Sequence, residues 1–410
     1  MIYRPEIPAF FGSLLICWHA FSGAFIMNKE RGLNMENFDF INKNFGFGCM
    51  RLPMLENGKV DTDQFNEMID CFLTSGFNYF DTAHGYIDGK SELALKECLT
   101  SRYARDRYIL TDKLTGSYFR TEEEIRPLFA SQLHAVGVDY FDFYLMHAQN
   151  AKEYIKFKKC HAYETAFELK KEGKIRHVGI SFHDKAEVLD QILNEYPEIE
   201  VVQIQFNYLD YEDPSVESHK VYEVCEAHDK PVIVMEPVKG GSLVKLPEEA
   251  QKIIDTLGQK ASNASYAIRF AASQKNVRVV LSGMSTLEQM KDNVSFMKEF
   301  VPLNDNEKEV LQKVTEVFHA AGMIPCTACH YCVEENHCPK KIRIPDLFAV
   351  YNAKNTFHDW NADYYYNNVL TAGDNGTASD CIKCGGCERV CPQHLPIRDL
   401  LQDVAKEFGK

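Results

Sequence analysis

Eight cysteines near the end of the chain have the side chains and the spacing to bind metal. They form two runs, each with three cysteines at intervals of three residues and a fourth that precedes a proline: Cys326, Cys329, Cys332 and Cys338, then Cys381, Cys384, Cys387 and Cys391. Cysteines this close in sequence do not suit a disulfide network in a chain of this size, whereas they suit metal ligands in a reducing compartment. The two runs therefore predict two metal centres.

The runs resemble those of two-cluster ferredoxins, where the fourth cysteine of each run ligates the other cluster. The resemblance implies two 4Fe–4S clusters. The first ligand set is Cys326, Cys329, Cys332 and Cys391, and the second is Cys381, Cys384, Cys387 and Cys338. Zinc is the disfavoured alternative, because zinc sites pair two-cysteine knuckles and seldom use three cysteines at this interval. Ile344 and Ile397 follow the two runs at equal offsets, which indicates a repeated loop–helix unit and a mainly helical domain.

Four polar residues that could carry acid–base chemistry lie earlier in the chain. Asp81, Lys113 and His147 each come at the end of a short apolar segment, and Tyr86 lies five residues beyond Asp81. Each of them alone could be a solvated or structural side chain. If three successive strands end at these positions, however, the four side chains meet at one edge of a parallel sheet.

The elements that would position them alternate between short apolar strands and amphipathic helices, a pattern typical of α/β proteins. One helix has recognisable ends, because Thr121 and Glu124 form a capping box and Gly137 follows it. Eight such βα units predict a (β/α)8 TIM barrel, with a doubly wound open sheet as the alternative. The candidate strands are Gly46–Leu52, Phe77–Phe80, Tyr108–Thr111, Phe141–Met146, His177–Ile180, Val201–Gln205, Val232–Met235 and Val277–Leu281.

Two segments of this region resemble signatures of the aldo/keto reductase family. They are residues 80–86 (FDTAHGY) with Ser91-Glu92, and residues 131–147, which contain GVDYFD. The resemblance extends over about residues 44–300 and implies a catalytic tetrad of Asp81, Tyr86, Lys113 and His147.

The chemistry of carbonyl reduction agrees with this implied tetrad. Hydride transfer to a carbonyl leaves negative charge on oxygen, so a proton donor must meet it. On this interpretation Tyr86 is the donor, and the Lys113 ammonium favours its phenolate form. Asp81 keeps Lys113 charged and oriented. His147 hydrogen-bonds the substrate carbonyl and fixes its angle to the nicotinamide.

The same resemblance implies NADP or NAD as a cofactor, with less complete matches. Phe182 stands where the family has an asparagine, and we consider His183 as its substitute. Met235 replaces an aromatic residue that stacks on the nicotinamide in many members, and Gln289 replaces an arginine that meets the 2′-phosphate of NADP. The choice between NADP and NAD therefore stays open. The implied cofactor contacts are Ser181, Gln203, Gly241, Ser282, Gln289 and Asn293.

Length and charge limit the remaining possibilities. The chain has 410 residues, 45% hydrophobic and 25% charged, which fits two globular domains. Its net charge of -14 disfavours nucleic acid as a partner. We expect an N-terminal extension over residues 1–40, a barrel over 41–315 and an iron–sulfur domain over 316–410.

The extension contains an apolar stretch, residues 10–27, with the length of a signal-peptide core or a marginal membrane span. A Sec signal conflicts with clusters assembled in the cytosol, and no twin-arginine pair precedes the stretch. We expect translation to start at a later methionine, Met27 or Met35, with a membrane tether as the alternative. The predicted protein is cytoplasmic and has no membrane contact.

Two functions remain open at this point. The first is NAD(P)H-linked reduction of a small-molecule carbonyl, with Tyr86 as proton donor and the clusters passing electrons to or from a redox-protein partner. The second is an electron-transfer or redox-sensing protein whose barrel is a docking scaffold. The complete tetrad favours the first function, whereas Phe182 and Met235 favour the second. Clusters with a purely structural role are a third interpretation.

Overall fold

The computed structural model describes residues 38–213, 216–258 and 261–409. Eight parallel strands pair in chain order and close into a barrel, with the first strand paired to the last. The predicted (β/α)8 barrel is confirmed, and the alternative of an open sheet is wrong. The strands are β1 Phe45–Gly48, β2 Tyr79–Asp81, β3 Ile109–Leu114, β4 Phe141–Gln149, β5 Ile175–Phe182, β6 Val201–Gln205, β7 Val232–Met235 and β8 Val277–Gly283.

All eight predicted strands exist, and the ends of β6 and β7 agree with the prediction. The difference that matters for function is that β3 and β4 run further than predicted. Pairing with β4 from Asp112 onward extends β3, and pairing of Gln149 with Phe182 of β5 extends β4 across a local irregularity. Lys113 and His147 therefore lie within strands, where the sheet fixes their direction.

Large apolar side chains fill the barrel interior, as is usual for this fold. The buried set is Phe38, Tyr79, Ile109, Phe143, Leu145, Val201, Ile233, Val279 and Leu281. Gly179 has no room for a side chain, because a Cβ there would lie 2.5 Å from Val201 Cγ1. The interior is thus a packed core, and open space remains only towards the ends of the strands.

Helices surround the barrel between successive strands. The predicted capping box is present, with Thr121 and Glu124 bonding reciprocally, and the helix that follows ends at Gly137, whose φ is 76°. The helices of this region are α1 Thr62–Thr74, α2 Lys90–Leu95, α3 Ile125–Val136, α4 Ala151–Lys159, α5 Ala162–Lys171, α6 Ala186–Glu195, α7 Ser218–Ala227, α8 Glu248–Asp255, α9 Asn263–Ala272, α10 Leu287–Met297 and α11 Asp305–Ala321.

The C-terminal region is helical, as predicted. Each cysteine run leads into a helix of 12 residues, and the two helices bury Ile344 and Ile397 in one small core. Tyr366 and Phe408 stack in this core with ring centroids 4.2 Å apart. The helices are α12 Tyr331–Glu334, α13 Ile344–Asn355, α14 Ala362–Tyr365, α15 Gly386–Arg389 and α16 Ile397–Phe408.

Two predicted boundaries differ from the structure. The extension was expected to reach residue 40, yet Phe38 is buried and packs edge-on against Phe143, with ring centroids 5.1 Å apart. The fold therefore begins before residue 40. The expected division between residues 315 and 316 falls inside α11. The apolar stretch 10–27 lies outside the described residues, and among those described no helix is long and apolar enough to cross a membrane.

Candidate active site and cluster sites

The barrel brings the four predicted catalytic residues together. Asp81 ends β2, Lys113 and His147 lie near the ends of β3 and β4, and Tyr86 follows in the loop after β2. Parallel strands point their carboxyl ends to the same side, so residues 32 positions apart, such as Asp81 and Lys113, become neighbours.

The Lys113 ammonium is the centre of this group. It donates to Asp81 Oδ1 at 2.6 Å, to the backbone oxygen of Thr82 at 2.7 Å and to Tyr86 Oη at 3.2 Å. An ammonium has three hydrogens, so every donor is used. The Lys113 side chain is 0% exposed and that of Asp81 is 4% exposed, which makes the ion pair a buried one. Gln203 Nε2 donates to the other oxygen of Asp81 at 2.9 Å.

The pKa of Tyr86 differs from the expectation that the nearby Lys113 ammonium favours the phenolate form. Burial raises the pKa of Tyr86 well above 10, and the negative charges of Asp81 and Glu236 raise it further. A tyrosine in this environment keeps its proton at neutral pH. Its oxygen accepts a hydrogen bond from Lys113, so the hydroxyl hydrogen is available for donation to a ligand in the cavity.

His147 is held neutral. Burial, followed by the charge of Lys113, lowers the pKa of His147 well below 6.5. Its Nδ1 is 2.7 Å from the Thr115 hydroxyl, a contact that the sequence did not point to. When Nδ1 accepts a hydrogen bond from the Thr115 hydroxyl, Nε2 carries the ring hydrogen and can donate it in a hydrogen bond to a ligand. The rings of Tyr86 and His147 are 5.9 Å apart, so both can contact one small molecule.

An open cavity lies above the tetrad. Asp81, Tyr86 and His147 line it, and Lys113 lies beneath them through its hydrogen bonds. All six residues that the sequence predicted as cofactor contacts also line it: Ser181, Gln203, Gly241, Ser282, Gln289 and Asn293. Some of these side chains already have partners, since Ser181 Oγ accepts from the Ala148 amide at 2.8 Å.

One side of this cavity has features that bind phosphate groups. The cavity includes Ser285 and Gln289 at the N-terminus of α10, where the helix dipole favours negative charge. Two cations that the sequence analysis missed, Arg51 and Lys245, line the same cavity. Gly241 has a φ of 103° and no atom within 4 Å of a built Cβ, so the backbone is open to a ligand there.

The positions that depart from the family pattern lie in different environments. Phe182 is 2% exposed and packs in the apolar core outside the barrel, so it takes no part in the main cavity. His183 does line the cavity, and its Nδ1 is buried without a hydrogen-bond partner among the described residues. Burial lowers the pKa of His183 to about 3, which leaves a neutral ring. Met235 also faces the cavity.

Each predicted set of four cysteines surrounds a small cavity of its own. The first cage is lined by Cys326, Cys329, Cys332 and Cys391. The second cage is lined by Cys338, Cys381, Cys384 and Cys387. Two similar cages, each with four thiols, fit two clusters of one kind. Among the described residues, no three His, Cys, Asp or Glu side chains are grouped tightly enough to hold a single metal ion.

Hydrogen bonds hold the first cage against the barrel mouth. Arg51 Nη2 donates to the Thr327 oxygen at 2.7 Å, and the side-chain amides of Gln205 and Gln393 bond reciprocally at 2.8 and 2.7 Å. Gln205 and Gln393 are both buried. Gly240 packs so tightly against the Thr327 oxygen that a Cβ would come within 2.3 Å of it.

As a result, the cluster region forms part of the wall of the main cavity. Cys329, Tyr331, Pro392 and Gln393 line it opposite the tetrad. A second open cavity adjoins it, and His147 and Tyr331 line both. The sequence analysis missed Tyr331, although its position inside a cysteine run, directly before Cys332, was a signal.

An acid–base tetrad at the mouth of a (β/α)8 barrel, beside two cages of four cysteines, is typical of a redox enzyme. Residues 44–316 match the family model described as the aldo/keto reductase family. The chain belongs to this family and is an oxidoreductase. Residues 325–396 match the model described as a 4Fe-4S dicluster domain, so the predicted iron–sulfur domain is confirmed.

Individual relatives resemble the barrel. The NADH-specific methylglyoxal reductase of Escherichia coli is 24% identical over 303 residues, which cover 63% of this chain and 90% of that protein. The holo form of an aldo-keto reductase from Bacillus halodurans is 26% identical, with a TM-score of 0.54 over 66% of this chain and 91% of its own. An aldo/keto reductase from Klebsiella pneumoniae, solved with NADP and acetate, is 19% identical with a TM-score of 0.55 and coverages of 66% and 91%; it shows the fold alone.

Substitution of cysteines in pairs tests which of them bind the same cluster. Cys338 and Cys384 line one cage, whereas Cys329 lines the other. We expect Cys338→Ser combined with Cys384→Ser to retain about half of the iron, because one cluster loses two ligands and the other keeps four. Cys338→Ser combined with Cys329→Ser should lose most of it. Iron analysis and electron paramagnetic resonance (EPR) of anaerobic, reduced protein measure this.

The reverse pattern would contradict the interleaved ligand sets. If each run held its own cluster, Cys329 and Cys338 would belong to one site. The variant that changes those two residues would then keep half of the iron, and the Cys338–Cys384 variant would lose nearly all.

Proposed function

We propose that this protein reduces a small-molecule carbonyl with NADPH or NADH, and that Tyr86 donates the proton. The observation that carries the proposal is the set of bonds around Lys113. Its buried ammonium donates to Tyr86 Oη, which lines the cavity, so the hydroxyl hydrogen of Tyr86 stays available to a ligand there. A docking scaffold without catalysis would have no need for this buried charge, which is expensive to desolvate.

The cavity supplies a place for the nicotinamide cofactor, whose contribution when bound is a hydride. Ser181, Gln203 and Asn293 would contact its ends, and the N-terminus of α10 with Arg51 and Lys245 would hold its phosphates. The relative from Escherichia coli is named as NADH-specific. This name supports a nicotinamide cofactor for this chain.

The residues of this chain then perform three tasks. His147 Nε2 donates a hydrogen bond to the carbonyl oxygen and holds it beside Tyr86. Tyr86 transfers its proton to that oxygen as negative charge develops. Lys113, fixed by Asp81, stabilises the phenolate that remains.

Substitution of Tyr86 tests the proposal. We expect Tyr86→Phe to lower kcat for carbonyl reduction by roughly 10²–10⁴-fold, because the proton donor is lost. The matched control is Tyr208→Phe, since the Tyr208 hydroxyl is buried, makes no hydrogen bond within the described structure and lies away from the cavity. Anaerobic oxidation of NADPH and NADH with a panel of aldehydes and ketones measures both variants and identifies the cofactor. Equal activity of the two variants would contradict the role of Tyr86.

The pH profile provides a second test. The pKa of Tyr86 lies well above 10 and that of His147 well below 6.5. Tyr86 is protonated at every pH below its pKa, and His147 is neutral at every pH above its own. We therefore expect log kcat/KM for reduction to stay level between about pH 6.5 and 9. A steep fall within that window would show that the two residues titrate there and would oppose these assignments.

We further propose that the clusters serve electron transfer, each supplying one electron at a time when bound. Two positions support this. Cys329 lines the catalytic cavity, so the first cage lies against the site of reduction. Cys384 of the second cage is exposed, which offers a redox-protein partner an approach from solvent.

Proximity of the first cluster to the cavity has a spectroscopic consequence. Addition of NAD(P)⁺ or a carbonyl to reduced protein should change its EPR spectrum. The change should persist in the Cys338→Ser/Cys384→Ser variant, which keeps the cage beside the cavity. An unchanged spectrum in both proteins would favour clusters with a structural role.

A further inference from the structure

Tyr331 holds a position that the reductase chemistry described above does not use. It begins α12, between two cysteines of the first cage, and its side chain is half-buried. It lines the main cavity together with Tyr86 and the adjoining cavity together with His147. The side chain therefore stands where the two cavities meet, and Tyr86 is close enough to interact with it electrostatically.

The place of Tyr331 is fixed by bonds on both sides of the cage. The Thr327 oxygen accepts from Arg51, and Gly240 leaves no space between this loop and the barrel. On the other side, His394 Nε2 lies 2.7 Å from the His183 oxygen. A side chain carried by a loop attached in this way is preorganised, so a ligand contact made by it loses little entropy.

Three residues that can donate hydrogen bonds, Tyr86, His147 and Tyr331, consequently line one space. A carbonyl oxygen has two lone pairs, and Tyr86 with His147 can fill both. The hydroxyl of Tyr331 provides a third donor for a ligand in this space. When Tyr86 and His147 use both lone pairs of the carbonyl oxygen, a third donor needs another acceptor. A second oxygen on the same ligand would provide it.

We propose that Tyr331 is a specificity-determining residue that donates a hydrogen bond to a second oxygen of the substrate, close to the carbonyl that is reduced. The substrate class that fits is an α-hydroxy or α-oxo carbonyl compound. This inference rests on the proposed reductase function, and it assigns part of the substrate site to the iron–sulfur domain.

The test uses hydroxyacetone and butanone, in which a methyl group replaces the hydroxyl of hydroxyacetone. Both ligands are compared in anaerobic holoprotein, in wild type, in Tyr331→Phe and in the control Tyr351→Phe. Tyr351 lies on α13 of the same domain and lines neither cavity. Calorimetric dissociation constants and steady-state kinetics are measured, and iron content verifies that the clusters are retained.

We expect wild type and Tyr351→Phe to prefer hydroxyacetone. Tyr331→Phe should weaken the binding of hydroxyacetone about threefold to tenfold, the size of one lost neutral hydrogen bond, and leave butanone unchanged. In the kinetics the loss should appear mainly in KM, because the contact exists in the ground state as well as in the transition state.

Other outcomes separate this inference from the proposed function. Equal weakening of both ligands, or no preference in wild type, would overturn the role of Tyr331. A binding preference that depends on Tyr331, without turnover of either ketone, would support the contact while the reductase function fails.

Discussion

The buried ammonium of Lys113 is the interaction on which the site depends. A charge inside a barrel is stable only if acceptors surround it, and Asp81, Thr82 and Tyr86 provide them. The same bonds leave the hydroxyl hydrogen of Tyr86 available to a ligand in the cavity. Removal of Asp81 would leave an unpaired charge in the interior, so the fold and the chemistry share one constraint.

The second constraint is the attachment of the iron–sulfur domain to the barrel mouth. The reciprocal amide pair of Gln205 and Gln393 is buried, and loss of either partner would strand the other without a hydrogen bond. Because of this attachment, Cys329 and Tyr331 enclose the space above the tetrad. The domain thus forms part of the wall of the main cavity as well as holding two clusters.

This arrangement bears on how hydride and single-electron chemistry can coexist in one chain. Nicotinamide transfers two electrons together, whereas an iron–sulfur cluster transfers one. Cys329 of the first cage lines the cavity, and Cys384 of the second cage is exposed. The first cage therefore lies beside the cavity, which is the observation on which the proposed electron transfer rests.

The sequence by itself predicted the eight strands from local periodicity and singled out the cysteines by their spacing. Its resemblance to known families added the dicluster domain and the tetrad residues. Parallel strands of a barrel then bring Asp81, Lys113 and His147 to one end without further information. Only the tertiary structure decided that the iron–sulfur domain covers that end. The reason is physical: the contacts that fix it, such as the one between Gln205 and Gln393, join residues 188 positions apart and leave no local pattern. Burial likewise decided the pKa of Tyr86, because desolvation depends on everything packed around the phenol.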